Sequence, residues 1–261
     1  MKLIKTVIKD NGEWWVIIHD YSVDNGWLKK FRPIHVFTQL AIAFVNDKKQ
    51  MLHHANALEN KLFSVGYFWG EIKRAIAGVD DSKVYDSSCV KDYDKHQIVI
   101  SCIEAYLSAI YSVLEISAKI NKLIYAQKRE TLPASFFRQA KKIEAFSLTR
   151  NKWLGSFFDL RREMTHNNSL YVDCIGGHIS VEFVCRDGLL CFKPGERYLI
   201  DFNSLLLFYR GLFDMLDYWA KEKLCEVDEN YEFNVAILKK ASGPIEFTAK
   251  KAKLLLDLLN T

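Results

Sequence analysis

Ile103–Leu123 reads IEAYLSAIYSVLEISAKINKL, and its reading decides the fold. Ile103, Tyr106, Leu107, Ile110, Val113, Leu114, Ile120 and Ile124 recur at intervals of three and four, which lines them along one side of a helix for six turns. Glu104, Ser108, Glu115 and Lys122 fall on the other side. Extended outward, the pattern predicts one helix from Tyr93 to Lys128. A stripe that long is buried by packing against other helices, so the chain reads as mainly α.

The flanking sequence supplies those partners. His35 to Ala77 is apolar-periodic and predicts two helices broken near Gly66 or Gly70, with a polar, turn-rich stretch (Gly78–Ser82, Asp86–Ser88) before the long helix. Downstream, helices are predicted at Ala134–Ala145, after Pro133, and at Arg150–His166. The period then shortens. SLYVDCI, HISVEFVC, LLCFK and RYLI are β-type runs separated by Gly176-Gly177, Asp187-Gly188 and Pro194-Gly195, which reads as a small meander. Asp201 or Asn203 caps a helix over Ser204–Lys223 with the stripe Leu205, Tyr209, Leu212, Leu216 and Trp219. YEFNVAIL reads as a last strand, and a C-terminal helix follows Gly243-Pro244. At the N-terminus, LIKTVIK and EWWVIIHDY flank Asp10-Asn11-Gly12, the residues of a type I′ hairpin turn, and Asp24-Asn25-Gly26 with Pro33 closes this β section.

The 261 residues suffice for a sizeable core, and 49% hydrophobic with 26% charged residues is ordinary globular composition. The longest unbroken apolar run, Leu40–Val45, is far shorter than the ~20 residues of a membrane span. Lys5 and Lys9 interrupt what would be a signal-peptide core, and no lipidation motif is present, so the expectation is a soluble, cytoplasmic protein with no membrane partner. Cys89, Cys102, Cys174, Cys185, Cys191 and Cys225 contain no C-x-x-C pair, which predicts reduced and mostly buried thiols. His53 and His54 are adjacent, so on a helix they diverge by about 100° and make a poor metal pair. The sequence calls for no metal and no cofactor. It also lacks a G-x-G-x-x-G, a P-loop, a G-x-S-x-G elbow and an H-E-x-x-H.

Charge is uneven. Lys119 to Glu163 holds eleven Lys and Arg against Glu130, Glu144, Asp159 and Glu163, a net +7 in a chain of net +4. Such a segment attracts phosphate, or is simply a solvated helix face. Within it, Arg138, Lys141, Lys142, Arg150 and Lys152 are the candidate RNA-binding cations. Phe136 and Phe137 offer base stacking beside them, or belong to the core. The segment ends in Phe157–Asn168, FFDLRREMTHNN, where Arg161 and His166 stand at the end of an amphipathic helix and Asn167 suits its left-handed terminating position. At 100° per residue, Gly155, Asp159, Arg162 and His166 share one side of this helix, and Trp153, Phe157, Leu160 and Met164 the other, with Arg161 at the apolar edge.

The R-x4-H of Arg161 and His166, following a bundle helix like Ile103–Leu123, resembles the HEPN superfamily, whose signature is R-x(4–6)-H late in a helical bundle. The resemblance covers about Asp92 to Lys223. Where that family commonly has a small polar residue after the Arg, this chain has Arg162. It implies a HEPN-like helical bundle with an N-terminal β-hairpin and a β meander inserted after the motif helix. The domains expected are a hairpin section, 1–33, packed on a helical domain, 34–261, with the insertion at about 168–200.

The resemblance further implies a metal-independent endoribonuclease, toxin-like or defence-related, with Arg161 and His166 catalytic at the interface of a homodimer and an antitoxin or regulatory protein as a possible partner. Arg162, Asn167 and Asp159 are supporting or alternative residues. The chemistry is sound in outline. A histidine with pKa near 6.5 takes a proton from a ribose 2′-hydroxyl, and a guanidinium stabilises charge on the phosphate. Two other readings stay open: a catalytically silent RNA-, nucleotide- or protein-binding adaptor, and a purely structural dimerisation module. In the blandest reading, His166 caps the helix end and Arg162 pairs with Asp159 or Glu163.

Overall fold

The stripe of Ile103–Leu123 is buried along its length. In the computed structural model, which describes residues 3–10, 13–20, 45–77, 93–127, 129–166, 171–175, 178–186 and 190–227, the eight predicted positions from Ile103 to Ile124 are all core. The protein is mainly α. Its elements are β1 (Leu3–Asp10), β2 (Glu13–Asp20), α1 (Lys48–Ala77), α2 (Tyr93–Gln127), α3 (Phe136–Gln139), α4 (Trp153–His166), β3 (Tyr171–Ile175), β4 (His178–Val184), β5 (Arg197–Asp201) and α5 (Phe202–Val227). They divide into two compact units, His53–Met215 and one made of Met1–Leu52 with Leu216–Thr261. In the second unit, β1 and β2 pair antiparallel with Asp10 opposite Glu13, the two-residue connection that Asn-Gly favours.

In α2, Gln97–Gln127 is long and apolar enough by composition to cross a membrane, and 44% of its most apolar window is buried. The longest unbroken apolar run gave no hint of this, because Ser108, Ser112, Glu115 and Ser117 punctuate the helix. Its buried stripe contributes to the core of the larger unit, which accounts for the apolar residues on that side of the helix.

α1 runs unbroken through Gly66 and Gly70, against the expectation of two helices. Glycine inside a helix costs only about 1 kcal/mol. The buried stripe Leu58, Leu62, Val65, Trp69, Ile72 and Ile76 crosses both positions and holds the helix together. Asp47 caps its start, accepting the Gln50 N–H at 3.0 Å. Trp69 then stacks on Phe202 at 4.7 Å between ring centres, and buried Tyr106 donates its hydroxyl to the Leu205 carbonyl at 2.8 Å. These two contacts join α1 and α2 to the start of α5.

The helix predicted over Ala134–Ala145 is a single turn, α3, followed by a tight turn and a 3₁₀ turn at Glu144–Phe146. Ile143 is extended (φ −106°, ψ 119°), so the segment doubles back and brings Phe136 within 4.8 Å of Phe146. Phe136 is fully buried and belongs to the core, and half-buried Phe137 meets Phe158 edge-on at 5.5 Å. Gln139 locks the arrangement. Its side-chain amide donates to the Ala118 and Pro133 carbonyls, both at 2.7 Å, and accepts from Asn121 Nδ2 at 3.1 Å. Buried Asn151 donates in the same way to Ala145 O and Ser147 O, which fixes the entry to α4.

β3, β4 and β5 form an antiparallel sheet in sequence order, as the meander reading expects. LLCFK is not one of its strands: Leu190–Lys193 is irregular. The cause is a buried carboxylate on α4. Asp201 caps α5 as expected, accepting both the Ser204 N–H and the Ser204 hydroxyl at 2.8 Å. Leu205, Leu212, Leu216 and Trp219 are buried as predicted, and Tyr209 is half-buried. The second turn at Asp24–Gly26, Pro33, the strand YEFNVAIL and the C-terminal helix lie outside the described residues.

Candidate functional site

α4 carries the R-x4-H motif, and its apolar side is as read from the sequence. Trp153, Phe157, Leu160 and Met164 are buried. Trp153 and Phe157 pack on Phe208 of α5 at 6.3 and 5.7 Å. Gly211 makes room, since a Cβ there would stand 2.5–2.7 Å from three atoms of the Trp153 indole.

The opposite side is not an open groove. Asp159 is 1% exposed and accepts backbone N–H groups from Leu190 (3.0 Å), Cys191 (2.6 Å) and Phe192 (2.8 Å). A carboxylate that gathers three amides in a row imposes a loop, because those amides cannot also serve a β ladder. Glu163, one turn on and also buried, accepts the Arg186 N–H at 3.1 Å and the Cys185 thiol at 3.4 Å. Gly155 completes this face, for a Cβ there would lie 2.4 Å from Cys191 Sγ. Asp159 and Glu163 therefore clamp the segment between β4 and β5 onto α4. Of the thiols, Cys185 is buried, Cys102 half-buried and Cys191 exposed.

Arg161 leaves that face. Its guanidinium carbon sits 3.6 Å from the centre of the Tyr111 ring on α2, close enough for a cation–π contact. Among the described residues no carboxylate lies within ion-pair distance of it, and its buried Nε has no hydrogen-bond partner. Glu115, one turn along α2 from Tyr111, accepts the Phe136 N–H at 3.3 Å. Burial, and then the Glu115 charge and hydrogen bond, raise the Tyr111 phenol above its ordinary pKa, while Arg161 acts in the opposite direction. Tyr111 and Glu115 were not legible as site residues. Tyr111 lies just off the apolar stripe, and Glu115 reads as a solvated polar position.

Arg162 is half-buried beside Arg161. His166 is the last residue of α4; its side chain, like Asn167, lies outside the described residues. Arg138, Lys141, Lys142, Arg150 and Lys152 are all exposed. Arg150 reaches Glu144 at 3.9 Å, and Lys141 lies 5.3 Å from the Phe137 ring centre. Among the described residues no group of three His, Cys, Asp or Glu is placed to hold a metal ion. No protein-family model, curated protein or solved structure matches this chain.

Proposed function

We propose that this protein is a metal-independent endoribonuclease with a HEPN-like helical bundle, acting as a homodimer through Arg161 and His166. The observation that carries the reading is the state of Arg161: clamped on an aromatic ring, free of any carboxylate among the described residues, and five residues before the motif histidine. A guanidinium fixed by stacking and left without an anion is prepared for a phosphate. Because Nε is buried, the phosphate meets the terminal Nη groups.

In this reaction His166 takes the proton of a ribose 2′-hydroxyl, and the 2′-oxygen attacks the adjacent phosphorus. Arg161 stabilises the charge that grows on the phosphate oxygens. The P–O5′ bond breaks, the 5′-oxygen receives a proton from the second subunit's motif histidine, and the products are a 2′,3′-cyclic phosphate and a 5′-hydroxyl. Asp159 and Glu163 have no part in it; they hold the β4–β5 segment. The test is cleavage of RNA with EDTA present by wild type, H166A and R161A, with the new termini identified. Loss of cyclic-phosphate product in both variants supports the reading, and undiminished cleavage by H166A overturns it.

One observation favours a second reading. Five exposed cations stand on a connector fixed by Gln139 and Asn151, as a binding surface requires and catalysis does not. A catalytically silent adaptor binds RNA in a salt-dependent way and yields no product.

A further inference from the structure

Arg138, Lys141 and Lys142 stand at i, i+3 and i+4, across the end of α3 and the turn after it. Helical bonding continues through this stretch: Ala140 N donates to Phe136 O at 2.8 Å, and Ile143 N to Gln139 O at 2.8 Å. At 100° per residue the three cations fall within roughly 100° of one another, and the buried Phe136, Gln139, Ala140 and Ile143 occupy the opposite side. Lys119 and Lys122 of α2, also exposed, directly follow the two residues that Gln139 grips, Ala118 and Asn121. Among the described residues, none of these five cations has a carboxylate within ion-pair distance. Five exposed cations, none of them ion-paired among the described residues, on a corner braced by buried amides amount to a preorganised polyanion surface.

Resting on the RNA reading above, we propose that this corner is an exosite for single-stranded RNA that grips phosphates and does not read bases. The neighbouring rings are poor stacking platforms, because Phe136 is buried and half-buried Phe137 packs against Phe158 with Lys141 over its ring. An anionic membrane is the poorer fit. Membrane-surface segments pair cations with apolar side chains that enter the bilayer, and among the described residues no exposed large hydrophobic residue falls within Lys119–Lys152. A single strand suits the patch better than a duplex, since its backbone bends onto a surface one helical turn across.

The test uses the full chain and 2′-O-methyl oligonucleotides, which bind but offer no 2′-hydroxyl for cleavage. Affinity is titrated against salt for wild type, for R138A/K141A/K142A, and for the charge-keeping K141R/K142R, with unfolding in urea confirming that each variant folds. Because log affinity falls with log salt by about 0.7 per phosphate on a single strand, the triple variant loses about two units of slope and about tenfold or more in affinity near 0.1 M salt. The Arg variant keeps both, and oligonucleotides of different sequence bind alike. The proposal is overturned by a folded triple variant with wild-type slope and affinity, by a wild type that does not bind, or by tighter binding to duplex RNA or to anionic vesicles. A protein that cleaves RNA normally but shows any of these results loses the exosite and keeps the nuclease. One that binds as described but cleaves nothing loses the nuclease alone.

Discussion

Arg161 and Tyr111 face each other across α4 and α2 with the guanidinium carbon 3.6 Å from the ring centre. A cation–π contact of this kind contributes about 0.5–2 kcal/mol, enough to select one orientation of a long, flexible side chain. On the proposed nuclease function, Y111F, which keeps the ring and loses only the hydroxyl, is expected to bind and cleave RNA about as well as wild type. Y111A releases the guanidinium, and on the same proposal kcat/KM for RNA is expected to fall about 3- to 30-fold through the lost contact. Steady-state kinetics on both variants checks this. A merely structural Tyr111 predicts instead that Y111A changes unfolding in urea and leaves kcat/KM alone.

Asp159 is a structural carboxylate. Its removal strands the N–H groups of Leu190, Cys191 and Phe192 at a partly buried site. D159A is expected to destabilise the protein by about 3 kcal/mol or more, each stranded donor costing about 1 kcal/mol or above. D159N retains one acceptor oxygen and falls between. Chemical denaturation measures both, and wild-type stability in D159A contradicts the clamp.

Gly211 answers to the Trp153 indole. Alanine normally favours a helix over glycine by about 1 kcal/mol. Here its Cβ would stand 2.5–2.7 Å from a ring that is itself buried, so steric strain outweighs propensity. G211A is expected to lower stability by about 1–3 kcal/mol, the usual range for overpacking. Its melting temperature falls below wild type; a rise would show that the indole moves aside freely.

Much of this was legible in advance, for identifiable reasons. Periodicity revealed the buried stripe of α2, the apolar side of α4 and the stripe of α5, because each buries a continuous face at helical spacing. Asp201 was legible as a cap because its partners are local. What escaped depends on distant partners. The predicted helix at Ala134–Ala145 gives way because Gln139 reaches carbonyls on α2 and before α3. LLCFK has strand composition but loses its amides to Asp159, some thirty residues earlier. The helical wheel correctly grouped Gly155 with Asp159, yet gave no sign that a protein segment, rather than solvent, covers that face. The hold of Tyr111 on Arg161 joins positions fifty residues apart, and no local pattern records it.

The Asp201 cap gives a pH dependence of definite sign. Bonds from the Ser204 hydroxyl and N–H stabilise the carboxylate and lower its pKa below the ordinary value. A group depressed in the folded state binds its proton more readily in the unfolded chain. Its stabilisation is therefore complete above the unfolded value, about 3.9 for Asp, and is lost as pH falls through the lower folded value. Because the group is exposed, solvent screening keeps the charge contribution modest. D201A is expected to cost about 1 kcal/mol near neutral pH, the usual loss for an N-cap. The gap to wild type narrows once the pH drops below about 4. Urea midpoints for the two proteins at neutral pH and in stepwise more acid buffer measure it, and a gap that stays constant or widens in acid contradicts the cap as the source of the shift.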